Sequence, residues 1–124
     1  MRASRFGVGL LFAGVLNGCG SSSSPATTSP TPPTPQALTV TIVPAARTLA
    51  AAAFTPNPAT ISAGAKLTWS NTDTTTHDMV SDSGVWDSGH IAPGDHFDFT
   101  FTSKGSFPYH CSIHQGMVGT VVVQ

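Results

Sequence analysis

The chain has 124 residues, 40% of them hydrophobic and 9% charged, with a formal net charge of −1. That length allows one modest domain and little else, and its five Lys and Arg are too few and too dispersed to make a basic face for nucleic acid. A weakly acidic balance says little about the nature of a partner.

Arg2 and Arg5 precede an apolar stretch over residues 6–16, the charged-then-apolar layout of an export leader and too short for a permanent bilayer span. Residues 1–18 are therefore read as a signal peptide. Its end, Leu16-Asn17-Gly18-Cys19, resembles the lipobox of bacterial lipoproteins, in which the cysteine is diacylated and becomes the new N-terminus. Asn17 stands where Ala or Ser is more usual. Cys19 is thus a candidate lipidation site, in preference to an incidental thiol or a disulfide partner of Cys111. Loss of Arg2 and Arg5 with the leader leaves Arg47, Lys66 and Lys104 against six acidic residues, a charge of −3.

Residues 19–36 are expected to form a tether. From residue 20 they are almost entirely Ser, Thr, Pro and Gly, a composition that cannot bury enough apolar surface to offset its ordering entropy. At a polyproline rise of roughly 3 Å per residue the segment would hold a domain several tens of ångströms off a membrane. In a cell with two membranes, Gly20 rather than Asp after the cysteine favours anchoring in the outer membrane, facing the periplasm.

From Ala37 onward short strand patterns alternate with turn signals. Residues 38–43 alternate apolar and polar, as a half-buried strand does. Residues 45–53 are alanine-rich, but Phe54-Thr55-Pro56-Asn57-Pro58 follows at once, so the stretch is read as an irregular crossing or edge strand. Over residues 66–70, Leu67 and Trp69 share one face, opposite Lys66, Thr68 and Ser70. A polar turn over residues 71–76 then leads to His77. After the Pro93-Gly94 turn, Phe97, Phe99 and Phe101 alternate with Asp98, Thr100 and Thr102, and Phe107, Tyr109 and Cys111 continue the pattern. Pro108 lacks an N–H, which calls for an edge position or a bulge. Residues 118–123 form a β-branched terminal strand. Strands of this kind must cover one another's apolar faces, so residues 37–124 are expected to fold as one all-β sandwich. Trp69, Phe97, Phe99, Phe101 and Phe107 are its expected core.

The chemistry concentrates in Tyr109-His110-Cys111-Ser112-Ile113-His114-Gln115-Gly116-Met117. A thiolate, an imidazole and a thioether on one tight loop are soft donors that favour copper over hard cations. Two histidines and a cysteine in a trigonal array with a distant methionine describe a blue-copper electron-transfer site. His77 is the best remaining candidate for the fourth ligand. Zinc is the competing metal, but structural zinc prefers a stronger fourth donor than a thioether. Met117 is read as an axial ligand rather than core packing because the loop turns back there and Val118 already begins the strand. His110 alternates away from Cys111, and His90 and His96 flank the Pro93-Gly94 turn as surface residues.

With strands and loop together, residues 54–123 resemble the cupredoxin family, above all its small plastocyanin- and amicyanin-like bacterial members. Gly64 and Leu67-Thr68-Trp69-Ser70-Asn71 match the family's glycine and Val-x-Trp-x-Asn strand. His77 matches its first histidine ligand, and Gly105 to His114 match Gly-x-Tyr-x-Tyr-x-Cys-x2-His. Two residues separate His114 from Met117, as in amicyanin-like proteins. The resemblance implies a Greek-key β-sandwich of about 7–8 short strands and one copper ion held by His77, Cys111, His114 and Met117.

One departure bears on the metal. The residue after the first histidine is usually Asn, whose side chain ties the two ligand-bearing segments together, and here it is Asp78. Its carboxylate can only accept, with the Ser112 hydroxyl as the expected donor, and a negative charge there would favour the cupric state and lower the reduction potential.

The leading expectation is a monomeric, lipid-tethered one-electron carrier outside the cytoplasm, exchanging electrons with a redox donor and acceptor. No nucleophile–base set or carboxylate pair lies near the loop, so an enzyme is not expected. Ile113 and Gln115 occupy the positions where a second loop cysteine would signal a binuclear centre. By resemblance, Ile113, Gly116 and Pro93 would ring the outer edge of His114 as a docking patch. The rival reading is a module that stores or delivers copper; ligand loops rich in further Met and His would favour it, and only Met79 and His110 lean that way.

Overall fold

The computed structural model describes residue 20 and residues 34–124 of the chain. The leader, Cys19 and most of the tether lie outside the described residues. Residues 34–124 belong to one compact unit, built of nine strands with no α-helix among the described residues.

The strands are β1 (Leu38–Ile42), β2 (Phe54–Thr55), β3 (Ala59–Ile61), β4 (Lys66–Asn71), β5 (His77–Ser81), β6 (Asp87–Ile91), β7 (His96–Thr100), β8 (Gly105–His110) and β9 (Val118–Val123). One sheet runs β2-β1-β4-β7 and the other β3-β9-β8-β5-β6. β1 pairs parallel with β4, and β3 with β9; the remaining ladders are antiparallel. β4 and β7 are neighbours although β5 and β6, between them in sequence, lie in the other sheet. The chain thus crosses between layers as a Greek-key sandwich does.

Nine strands exceed the seven or eight expected, and the surplus is short: β2 has two residues and β3 three. Residues 45–53 differ from the crossing or edge strand expected of them. Two 3-10 turns, Ala46–Thr48 and Ala50–Ala53, fill the interval. Alanine suits such turns, and the breaking sequence behind them merely limits their length. β6, Asp87-Ser88-Gly89-His90-Ile91, carries almost no apolar alternation, so its strand character comes from pairing with β5 and not from its own side chains.

Alternation decides what is buried. In β4, Leu67, Trp69 and Asn71 point inward with Lys66, Thr68 and Ser70 opposite. Trp69 is fully buried, its ring centroid 5.5 Å from those of both Trp86 and Tyr109. Phe101 is buried as expected, whereas Phe97, Phe99 and Phe107 are only half-buried against the core. Phe97 and Phe99 stand on β7, which is an edge strand, so one side of each ring has no neighbouring strand. Trp86, Phe54 and Tyr109 take the places at the centre. β9 alternates too, and Gly119 faces inward beneath Tyr109. A Cβ there would sit 2.5 Å from the Tyr109 hydroxyl oxygen, so the ring occupies the space a side chain would need.

β8 lies inside its sheet, yet Pro108 meets its requirement for a local edge. Its carbonyl accepts the Asp82 N–H, and the β5 ladder covers only Tyr109 and His110. On an antiparallel strand a residue's N and O point to the same side, so the missing N–H faces the point where β5 has already ended.

Candidate metal centre

Three segments converge at one end of the sandwich. β5 begins with His77, β8 runs straight into Cys111, and the loop after Cys111 returns through His114 to Met117. The Cys111 N–H donates to the Met117 carbonyl at 3.0 Å, which closes the loop on itself. Gly116 makes that return possible, since its φ of 86° lies in a region costly for residues with a Cβ.

His77 Nδ1 lies 3.8 Å from Cys111 Sγ and 3.1 Å from His114 Nδ1, and Cys111 Sγ lies 3.7 Å from His114 Nδ1. Donors bound at about 2.0–2.3 Å around one transition-metal ion stand roughly 3–4 Å from one another, so the triangle fits a single ion. It is the one cluster of this kind among the described residues. His77 is fully buried, Cys111 nearly so and His114 half-buried. Met117 is fully buried at the end of the same loop.

The electrostatics of these groups favour a cation. Burial pushes the Cys111 thiol up, with partial relief from the backbone N–H groups of Asp78, Ile113 and His114. A thiolate in that position gains from a positive charge beside it. Burial also lowers His114, and the facing His77 and then Arg47 add to the effect. A neutral imidazole is the form that binds metal.

Asp78, on β5, reaches the ligand loop directly. The Ser112 N–H donates to its Oδ1 at 2.6 Å and the Ser112 hydroxyl to its Oδ2. Burial pushes this carboxyl up, but the two Ser112 bonds, with smaller help from Cys111 and His90, together hold Asp78 below the usual carboxylate value. The residues either side of the site, one following His77 and one following Cys111, are thereby tied together.

Asp73, in the polar turn before His77, belongs to the site although no ligand pattern in the sequence marks it. Its buried carboxylate contacts the ring edge of His77 away from the triangle, Oδ2 to Nε2 at 2.9 Å. The N–H groups of Ala45 and Thr74 donate to Oδ1 at 3.0 and 2.7 Å, and the Thr75 hydroxyl donates to Oδ2 at 2.9 Å. Burial raises the Asp73 carboxyl; the bonds from His77, Ala45, Thr74 and Thr75 override it and leave it well below the usual carboxylate range. Asn71 pins the turn, its Nδ2 donating to the carbonyls of Thr75 and Ile91 and its Oδ1 accepting the Asp73 N–H. Ala45 is left-handed, with φ 61°, at a cost of about 1–2 kcal/mol for a residue with a Cβ. The readable signal was an Asp-Thr-Thr turn four residues before a histidine, a sequence that bonds its own backbone.

The other histidines stay apart. His110 Nδ1 pairs with Asp82 Oδ1 at 2.6 Å on the surface, and His90 and His96 are exposed. Met79 is fully buried in the core on β5.

The Cupredoxin-like domain family matches residues 20–123. Plastocyanin of Cucumis sativus is 41% identical over an 87-residue alignment that covers 57% of this chain and 87% of the relative. The structure of a purple cupredoxin from Nitrosopumilus maritimus superposes with a TM-score of 0.65 at 28% identity, covering 70% of this chain and 99% of that one. The fold also occurs within an enzyme: a copper-containing nitrite reductase from Thermus scotoductus aligns with a TM-score of 0.60 at 24% identity, over 73% of this chain and 23% of that chain. Sequence, sandwich topology and converging donors agree, and the chain belongs to the cupredoxin family.

Proposed function

We propose that the protein is a mononuclear type 1 copper protein that carries single electrons outside the cytoplasm. The observation that supports this most is the triangle of His77 Nδ1, Cys111 Sγ and His114 Nδ1, preformed by a rigid β scaffold. Copper bound there supplies a Cu(I)/Cu(II) couple. The protein's part is to keep the donors still: His77 is held through Asp73 and Thr75, the Cys111 loop through Asp78 and its own backbone bond to Met117. Donors that do not move between oxidation states favour fast electron transfer. Met117 is the proposed weak fourth ligand, and its complete burial on the same loop is consistent with that role.

Half-buried His114 is the route to the surface. Ile113 is 45% exposed beside it, and Gly116 and Pro93 are exposed as well. This patch is the proposed docking face for a redox donor and acceptor, with the protein acting as a monomer and not as an enzyme. Residues 1–18 are proposed to direct export, and Cys19 to carry the lipid that anchors residues 37–124 through the tether, at the outer membrane of a two-membrane cell.

Titrating copper into the purified domain tests the site. An intense blue, green or violet thiolate-to-copper absorption is expected at one ion per chain, lost in Cys111→Ala. Copper binding without such absorption, or absorption that survives Cys111→Ala, would contradict the proposal.

A further inference from the structure

We propose that Asp73 is a positioning residue for the metal centre, a buried carboxylate that fixes the His77 ring in the tautomer with its proton on Nε2 and Nδ1 turned toward Cys111 and His114. The inference rests on the copper reading above, but its core is a count of donors. An ionised carboxylate only accepts hydrogen bonds. Two of the four groups on Asp73 are donors by direction, the N–H of Ala45 and the N–H of Thr74, and the third is the Thr75 hydroxyl, 2.9 Å from Oδ2 and 3.1 Å from His77 Nε2, which donates to the carboxylate. The fourth is His77 Nε2, 2.9 Å from Oδ2. A bare nitrogen lone pair facing that oxygen would repel it, so Nε2 carries a proton, and in the neutral ring Nδ1 then keeps its lone pair on the side of Cys111 and His114.

The anchoring reaches beyond one turn. Through Ala45 the carboxylate engages the segment leaving β1, through Thr74 and Thr75 its own turn, and through His77 the start of β5. Ala45 remains in its left-handed conformation while its N–H is committed to Oδ1. The side chain of His114 has no comparable polar support among the described residues: its hydrogen-bonding contacts are Cys111 Sγ and His77 Nδ1. The centre therefore has one histidine held from behind and one held by its loop. A negative charge behind His77 strengthens the ring as a donor, which favours the more positive oxidised ion and lowers the reduction potential.

The first measurement uses the copper-free wild-type protein. Nitrogen-15 NMR of the histidine rings, recorded at alkaline pH where imidazoles are neutral, is expected to show the His77 proton on Nε2 and slow to exchange; a neutral His77 ring with its proton on Nδ1 overturns the proposal. The second compares copper-loaded wild type with Asp73→Asn. The variant is expected to bind Cu(II) roughly 10–100-fold more weakly and to have a higher reduction potential, whereas unchanged affinity and potential overturn the positioning role. A purely structural role for Asp73 would lower stability and leave the potential where it is. Should Asp73→Asn fail to fold, the wild-type tautomer still decides. Should wild type show no thiolate-to-copper absorption, the copper reading fails by a separate observation, and the ring tautomer is judged independently.

Discussion

Asp78 is the residue that ties β5 to the Cys111 loop. Its side chain accepts two bonds from Ser112, one residue beyond Cys111, and it is held below the usual carboxylate value. A full negative charge so near a metal is screened little by solvent because the residue is buried. Asp78→Asn removes the charge but keeps an oxygen able to accept the Ser112 N–H. Voltammetry of the copper-loaded variant should show the reduction potential raised by tens of mV, on the scale of about 59 mV for a tenfold change in a one-electron equilibrium. An unchanged or lower potential would reject an electrostatic role for Asp78. Asp73 is the second buried carboxylate against the centre, and on the copper reading proposed above the two charges would act in the same direction, toward the oxidised ion.

The elements show what a sequence discloses and what it withholds. β1, β4, β7 and β8 were legible because each carries its own alternation and meets a layer of core on one face, and β9 because it is a β-branched run. The Cys111 loop was legible because its donors are close together in sequence. β5 was not, since His77, Asp78 and Met79 are all buried and polar residues break the pattern. β6 could not be, because its strand form is imposed by its neighbour. Trp86 joined the core from a turn with no periodicity to mark it. Asp73 lay hidden for a related reason: its partners, Ala45 and His77, come together only when the exit of β1 packs against the turn before β5. Short-range chemistry can be read along a chain, while contacts made across the two sheets require the fold.

At the scale of the whole molecule, a domain with few charges and, among the described residues, one preformed donor cluster follows in sequence an N-terminal region of quite different composition. If Cys19 bears lipid, cells fed a radiolabelled fatty acid should label the mature protein, and Cys19→Ser should abolish the label; labelling that persists in Cys19→Ser would remove the anchor from the account. Such tethering would keep the exposed edge around His114 near one membrane while leaving it free to meet partners. A storage or delivery module needs the opposite property, an ion that leaves readily. On the proposed reading, the closed loop, the buried His77 and Cys111 and the ties from Asp73 and Asp78 would oppose release. Cyclic voltammetry of the copper-loaded domain, repeated in the presence of a competing chelator, separates the two most directly. The carrier account predicts a reversible one-electron wave that persists with the ion retained; an irreversible wave, or prompt loss of copper to the chelator, would contradict it.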